Sequence, residues 1–275
     1  MADIKVNLIG AGRVGQTFLG LVGAADGYAV QDVMSRRYVS ASAAVEQAGC
    51  GLAVRSYADM RPADLWIIAV PDGEIKAVAT ALAQVIQGRH PPCVAFHCSG
   101  YFASDQLAAL ADLGWKTASV HPVRSFADPA QAIARFGGTL CGVEGAPGAL
   151  AQITPMLDLI GGVSFEIGSQ DKSLYHAAAV ISNNFTVVLQ AVARDAWTAA
   201  GVPEDIAKAL NETLLQGTCD NVAALGPRDA LTGPAARGDD AVVASQGADV
   251  AAWNPAVGAI YRDLSALAKA LKASD

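Results

Sequence analysis

The chain has 275 residues, 52% of them hydrophobic and 16% charged, with a mean hydropathy of +0.32. That much apolar surface offsets the entropy of ordering and excludes a disordered polypeptide, and the length suits two domains or one large one. With 19 Lys and Arg against 26 Asp and Glu the net charge is −7, and the basic residues form no long run, so nucleic acid is not an expected partner.

The first residues lack the apolar core of a signal peptide and enter a strand almost at once. Short apolar runs predict strands over 4–9, 28–34, 65–70, 93–97, 117–120, 139–143 and 163–167. Helical patterns lie between them at about 14–24, 39–47, 74–87, 104–113 and 147–160. This alternation predicts an α/β fold, a doubly wound parallel sheet over residues 1–168. The run 65–70 stops at Pro71-Asp72, far short of the roughly 20 residues of a membrane span, so no membrane partner is expected.

After Gly168 no strand-like run follows, and residues 169–275 read as an all-α domain. Lys172 to about Ala200 reads as one helix, broken by Gly201-Val202-Pro203. Its middle is apolar on most faces apart from Ser182, Asn183, Asn184, Thr186 and Gln190. Such a helix must be buried, and a second copy would cover it, which predicts a homodimer through the helical domain. The 5 cysteines form no C-x-x-C pair, and His97-Cys98 is too sparse for zinc, so a reduced, cytoplasmic protein without a metal is expected.

Gly10-Ala11-Gly12-Arg13-Val14-Gly15 reads G-x-G-x-x-G directly after a predicted strand and at the start of a predicted helix. The first glycine permits a tight turn, the second lets a pyrophosphate approach the backbone, and the third lets the helix pack on the strand. These six residues are expected to bind a dinucleotide. Asp32 stands near where an NAD enzyme places its ribose carboxylate. Ser35, Arg36 and Arg37 stand at the carboxyl end of the same strand, where guanidinium forks suit a 2′-phosphate. NADP is the expected cofactor, with NAD the alternative; the bland reading is that the arginines only solvate the next helix start.

Open α/β sheets bind ligands outside the carboxyl ends of their strands. Val70, Pro71, His97 and Ser99 fall there and are expected to line the cofactor, with His121 facing the substrate; each also has a plain role in a turn. On a regular helix His176 lies about 40° from Lys172 and Asn183 about 20°, so the three share one face. A carbonyl or imine accepting hydride needs a proton donor and a polar partner, for which Lys172 and His176 are candidates, with Asn183 about 16 Å along the axis. Arg237, after Leu231-Thr232-Gly233-Pro234, is a candidate anchor for a substrate anion or else closes its own loop through an internal salt bridge.

The chain resembles a family that joins a Rossmann-like domain to a dedicated helical domain of unknown function. It is also similar to the wider set of 6-phosphogluconate-dehydrogenase-like NADP oxidoreductases, including pyrroline-5-carboxylate, ketopantoate and deazaflavin-dependent NADP reductases. The stretches that carry the likeness are Gly10–Gly15, Ser35-Arg36-Arg37, His97-Cys98-Ser99-Gly100, His121-Pro122-Val123-Arg124-Ser125-Phe126, Lys172-Ser173-Leu174-Tyr175-His176, Ser182-Asn183 and Leu231-Thr232-Gly233-Pro234 with Arg237-Gly238-Asp239. The resemblance implies a two-domain dimer with a cofactor cleft between the sheet and the long helix. In the hydroxyacid-dehydrogenase relatives a lysine and an asparagine four residues on serve the substrate; here Lys172 matches, but His176 stands at the second position. The expected function is an NADP-dependent oxidoreductase acting on a small polar carbonyl, imine or alcohol, the competing one a dinucleotide-binding sensor or scaffold without turnover.

Overall fold

The computed structural model describes residues 3–273. They fall into two compact units, Met1–Ala179 and Val180–Asp275, so Lys172 and His176 belong to the unit that contains the sheet.

The first unit is built on eight strands in the order β3-β2-β1-β4-β5-β6-β7-β8: β1 (Ile4–Ile9), β2 (Tyr28–Met34), β3 (Leu52–Val54), β4 (Leu65–Ile68), β5 (Val94–His97), β6 (Lys116–Pro122), β7 (Thr139–Gly145) and β8 (Gly162–Glu166). Six helices connect them: α1 (Arg13–Gly23), α2 (Tyr38–Ala48), α3 (Ile75–Ile86), α4 (Ala108–Ala111), α5 (Pro129–Ala134) and α6 (Pro147–Leu159). Alternate residues of one strand feed two cores. Leu65 and Ile67 of β4 join Phe18 and Leu19 of α1 on one face, while Trp66 and Ile68 join Ile75 and Leu82 of α3 on the other.

The sheet departs from the expected all-parallel one at a single pair, since β7 runs antiparallel to β6, placing Glu144 opposite Ser119. The short β3 and the helix α5, started by Pro129 with the Asp128 side chain capping Gln131 N, were not expected.

The helical run continues from α7 (Lys172–Ala179) through a π-helical segment, Val180–Phe185, into α8 (Thr186–Ala199). The expected single helix is present, with a π segment in its middle that was not expected. A π turn holds more residues than an α turn, so the angular position calculated for Asn183 does not apply. The second unit continues with α9 (Glu204–Ala230), α10 (Pro234–Arg237), α11 (Asp240–Trp253) and α12 (Pro255–Ala273). Among the described residues from 180 onward only Ala207 and Gly258 are buried. The stretch Ser169–Ala199 is by length and composition apolar enough to cross a membrane, and none of its most apolar window is buried within one chain. The homodimer expected from sequence would cover these exposed apolar side chains, in which case sedimentation gives twice the 28.1 kDa of one chain and Val187→Glu shifts the protein toward monomer.

Candidate active site

Two polar regions lie at the carboxyl edge of the sheet, and both belong wholly to the first unit. The first begins at the β1–α1 elbow. Gly10 has φ +105°, and a Cβ there would lie 2.2 Å from the Ala69 carbonyl oxygen; one on Gly15 would lie 1.8 Å from the Gly10 carbonyl oxygen. No other residue fits at either point. Gly12 differs, because a Cβ there would meet nothing within 4 Å. It is the N-cap of α1, whose first turn carries no acidic side chain and no side-chain cap, so no side chain competes for the first N–H groups beside the open space at Gly12.

That space is a cleft of about 440 Å³. Gly10, Ala11 and Gly12 line it from β1, Met34, Ser35 and Arg36 from β2, and Ala69, Val70 and Pro71 from β4. Tyr57 and Glu74 line it as well, neither of them expected from sequence. Of the expected cofactor residues, Arg13, Val14, Gly15, Arg37, His97 and Ser99 do not line it. Gly15 acts through packing. His97 is wholly buried: its Nε2 meets Ala103 O at 2.8 Å and its Nδ1 accepts from Ser99 N at 3.2 Å, which fixes an Nε2–H tautomer and corrects its expected place on the cofactor. Burial draws its pKa down. Ser99 is likewise engaged, its Oγ accepting from Tyr101 N and Phe102 N at 3.1 and 3.0 Å.

Asp32 does not line the cleft. Its buried carboxylate accepts from Arg61 N at 2.7 Å and Arg61 Nη2 at 2.6 Å, while its own N donates to Asn7 Oδ1 at 3.1 Å. The Asn7 Nδ2 donates in turn to Arg61 O at 2.7 Å, closing a network that ties the segment before β4 to β1 and β2. Because β2 runs to Met34, Ser35 and Arg36 occupy the carboxyl end instead.

The second region gathers Lys172, Tyr175 and His176 of α7 against the ends of β5 and β6. The Lys172 side chain is only 1% exposed, its Nζ donating to Ser119 Oγ at 2.6 Å and to Ser99 O at 3.1 Å. No carboxylate is paired with it among the described residues, and burial pulls its pKa down against the more distant charges of Glu144 and Asp72. Glu144, missed from sequence, accepts from Ser104 N and from the hydroxyls of Ser104 and Ser169 at 2.7–2.8 Å, fixing the turn that leads into α7.

His121 Nδ1 and the Tyr175 hydroxyl are 2.8 Å apart. The rings of His121 and His176 lie 5.6 Å apart with Gly100 between them: a Cβ on Gly100 would come within 2.6 Å of His176 Nδ1 and 2.8 Å of His121 Nε2. His176 Nδ1 is buried without a hydrogen-bond partner. Sequence reasoning expected Lys172 and His176 as neighbours one turn apart, and the structure adds His121 and Tyr175 to them. The two other expected residues lie in the second unit. Asn183 is exposed, its Nδ2 donating to Asn184 Oδ1 at 3.3 Å, and Arg237 pairs with Asp239 at 3.1 Å, the internal closure of its loop.

Burial, then the neighbouring His176 and Lys172, push the His121 pKa down to about 4, against a smaller upward pull from Asp72. Its folded pKa is therefore below the unfolded value of 6.5, so stability falls as pH drops from 6.5 and the loss is complete near 4. This group alone contributes up to about 3 kcal/mol to that slope. Urea denaturation at pH 7, 5.5 and 4.5 should show a flatter decline for His121→Asn, with the part due to His97 remaining.

Residues 1–122 match the Rossmann-like domain and residues 139–268 match a domain of unknown function, DUF2520. No curated protein matches the chain. Among solved structures, protein TM1727 of Thermotoga maritima is 26% identical with a TM-score of 0.74, the alignment covering 97% of this chain and 98% of that one. BF3122 of Bacteroides fragilis, provisionally named an NADP oxidoreductase, is 22% identical with a TM-score of 0.77 and covers 97% and 98%. Pyrroline carboxylate reductase of Plasmodium falciparum, solved with NADP bound, is 13% identical with a TM-score of 0.57 and covers 99% and 100%. Such distant likenesses establish a shared fold.

Proposed function

We propose that this chain, a Rossmann-like domain joined to a DUF2520 domain, is an NADP(H)-dependent oxidoreductase acting on a small polar carbonyl, imine or alcohol. The observation that carries the reading is the convergence of three sequence-predicted groups on one cleft: the glycines from β1, Ser35 and Arg36 from β2, and Val70 and Pro71 from β4. The residues fit the cofactor, since the space on the Cβ side of Gly12 is open and α1 starts with no side-chain cap and no acidic residue in its first turn. Gly10 to Gly12 would hold the pyrophosphate, and Ser35 and Arg36 the 2′-phosphate, with Arg37 next to them outside the lining. The NADP bound by the Plasmodium reductase, on the same fold, supports that choice.

When bound, the nicotinamide supplies or accepts the hydride. The chain's own part is to hold and move a proton. Lys172 Nζ keeps two hydrogens on Ser99 O and Ser119 Oγ, which aims the amine and leaves its third for a substrate atom. His176 approaches with an unpartnered Nδ1, and His121, held neutral by burial and by the neighbouring His176 and Lys172 and oriented by the Tyr175 hydroxyl, supplies a polar wall. Burial of Lys172 weakens its hold on a proton, which suits an amine that must release one.

The exposed apolar stretch from Ser169 to Ala199 fits a second copy of the chain better than lipid. Ser182, Asn183, Asn184 and Gln190 fall in its middle, where hydrocarbon would leave their polar groups unpaired.

Fluorescence titration should show NADPH binding more tightly than NADH, with Arg36→Glu weakening NADPH at least about tenfold and NADH hardly at all. Equal losses for the two would remove the 2′-phosphate assignment. With a panel of carbonyl and imine substrates, His176→Ala should lower kcat by about 100-fold while the cofactor Kd stays within about twofold. Unchanged turnover would clear His176 of any part in proton transfer.

A further inference from the structure

The parallel pairing of β2 with β3 matches Met34 to Val54, so Ser35 and Arg55 are the first residues beyond two adjacent strand ends. Neighbouring strands lie about 4.8 Å apart, which brings the start of the Ser35–Arg37 segment beside Arg55. The guanidinium carbon of Arg55 stands 3.9 Å from the centre of the Tyr38 ring, the first residue of α2. Arg55 is thereby fixed over the residue that follows Arg37.

Stacking occupies the face of a guanidinium and leaves its N–H edge free. Among the described residues Arg55, Arg36 and Arg37 have no carboxylate partner, whereas Arg61, the next arginine along the chain, is paired with Asp32. The carboxylate that lines the cleft, Glu74, follows β4, and β1 separates β4 from the β2 and β3 ends. Arg36, which lines the cleft, and Arg37 and Arg55, which flank it on the adjoining strand ends, suit a dianion with several acceptor oxygens, and because Arg55 is already immobilised its ordering cost falls on folding and not on binding.

We propose that Arg55, clamped on Tyr38, is a specificity-determining residue that selects a 2′-phosphorylated adenine nucleotide over its unphosphorylated counterpart. The assignment rests on the cofactor reading above and adds to it a residue from a strand outside the glycine-loop unit of β1, α1 and β2. Tyr38 is a positioning residue, acting only through the guanidinium it holds.

Isothermal titration with NADPH, NADH and 2′,5′-ADP tests both residues without requiring a substrate. Arg55→Ala should raise the Kd for NADPH and for 2′,5′-ADP by about 10- to 100-fold and leave NADH within about twofold. Arg55→Lys, which keeps the charge but loses the planar fork, should fall between wild type and Arg55→Ala. Tyr38→Phe should bind like wild type because the stacked ring remains, whereas Tyr38→Ala should lose about 3- to 10-fold for NADPH alone. Circular dichroism melts matching wild type establish that the variants fold. Unchanged NADPH affinity in Arg55→Ala, or equal losses for NADPH and NADH, would overturn the role of Arg55 while the cofactor reading stands. Wild-type protein that binds neither dinucleotide would overturn both.

Discussion

At the turn from β1 into α1 the backbone passes so close to the end of β4, and then to itself, that only hydrogen atoms fit on Gly10 and Gly15. This double contact sets the angle at which α1 leaves the sheet and therefore where its first N–H groups point. It also ties the elbow to Ala69, so the same approach that orients α1 brings Val70 and Pro71 to the opposite wall of the cleft. Gly12, between the two crowded glycines, faces empty space. One motif thus contains glycines of opposite kinds: two exclude a side chain because protein fills the place, and one leaves a place open that protein does not fill.

Buried polar groups carry the order outward from the elbow. Asp32, Arg61 and Asn7 lock the segment before β4 to the first two strands and so remove the one carboxylate of β2 from the cleft. On the other half of the sheet Glu144 holds Ser104 and Ser169, binding the loop after β5 and the turn before α7 to β7. The side chains that project from α7 are aimed by that anchorage: Lys172 reaches Ser119 and the Ser99 carbonyl, and Tyr175 reaches His121. Each tie pairs a buried charge or ring nitrogen with partners, which is the condition for such groups to be tolerated in a core.

Most of the sheet and the glycine elbow were legible in the sequence because they rest on local signals: apolar runs of strand length, and a motif whose context is strand before and helix after. Three features were not. β3 is three residues long, too short to show an alternation, so Arg55 at its end could not be placed beside Ser35. The reversal of β7 follows from the path of the chain and not from its composition, and only that reversal sets Glu144 across from Ser119. His97 and Ser99 stood where ligand residues stand, yet both are consumed by the loop that follows β5, since a side chain's hydrogen-bond partners several residues away are not encoded in its spacing. Lys172 and His176 stand one turn apart on α7, a spacing readable from sequence, whereas Asn183 lies in a π segment that resets the angle.

Lys172 is the group whose placement demands a reason beyond stability. An amine taken out of water loses hydration worth several kcal/mol, and a buried lysine kept for structure is normally repaid by a contacting carboxylate. Here the contacts are one hydroxyl and one carbonyl, and the nearest acidic charges act only from a distance. A methionine or leucine would fill the same volume without that cost. The same neighbourhood contains an imidazole nitrogen with no partner and a second imidazole driven down to a pKa of about 4. Three basic groups, none in contact with an acid among the described residues, are crowded around the Ser99–Gly100 turn in an arrangement that weakens the proton affinity of His121 and Lys172. Such crowding works against folding. It also provides what hydride chemistry requires of a protein, groups that exchange a proton readily with a bound carbonyl or imine, and this supports proton handling as the reason for the lysine at the head of α7.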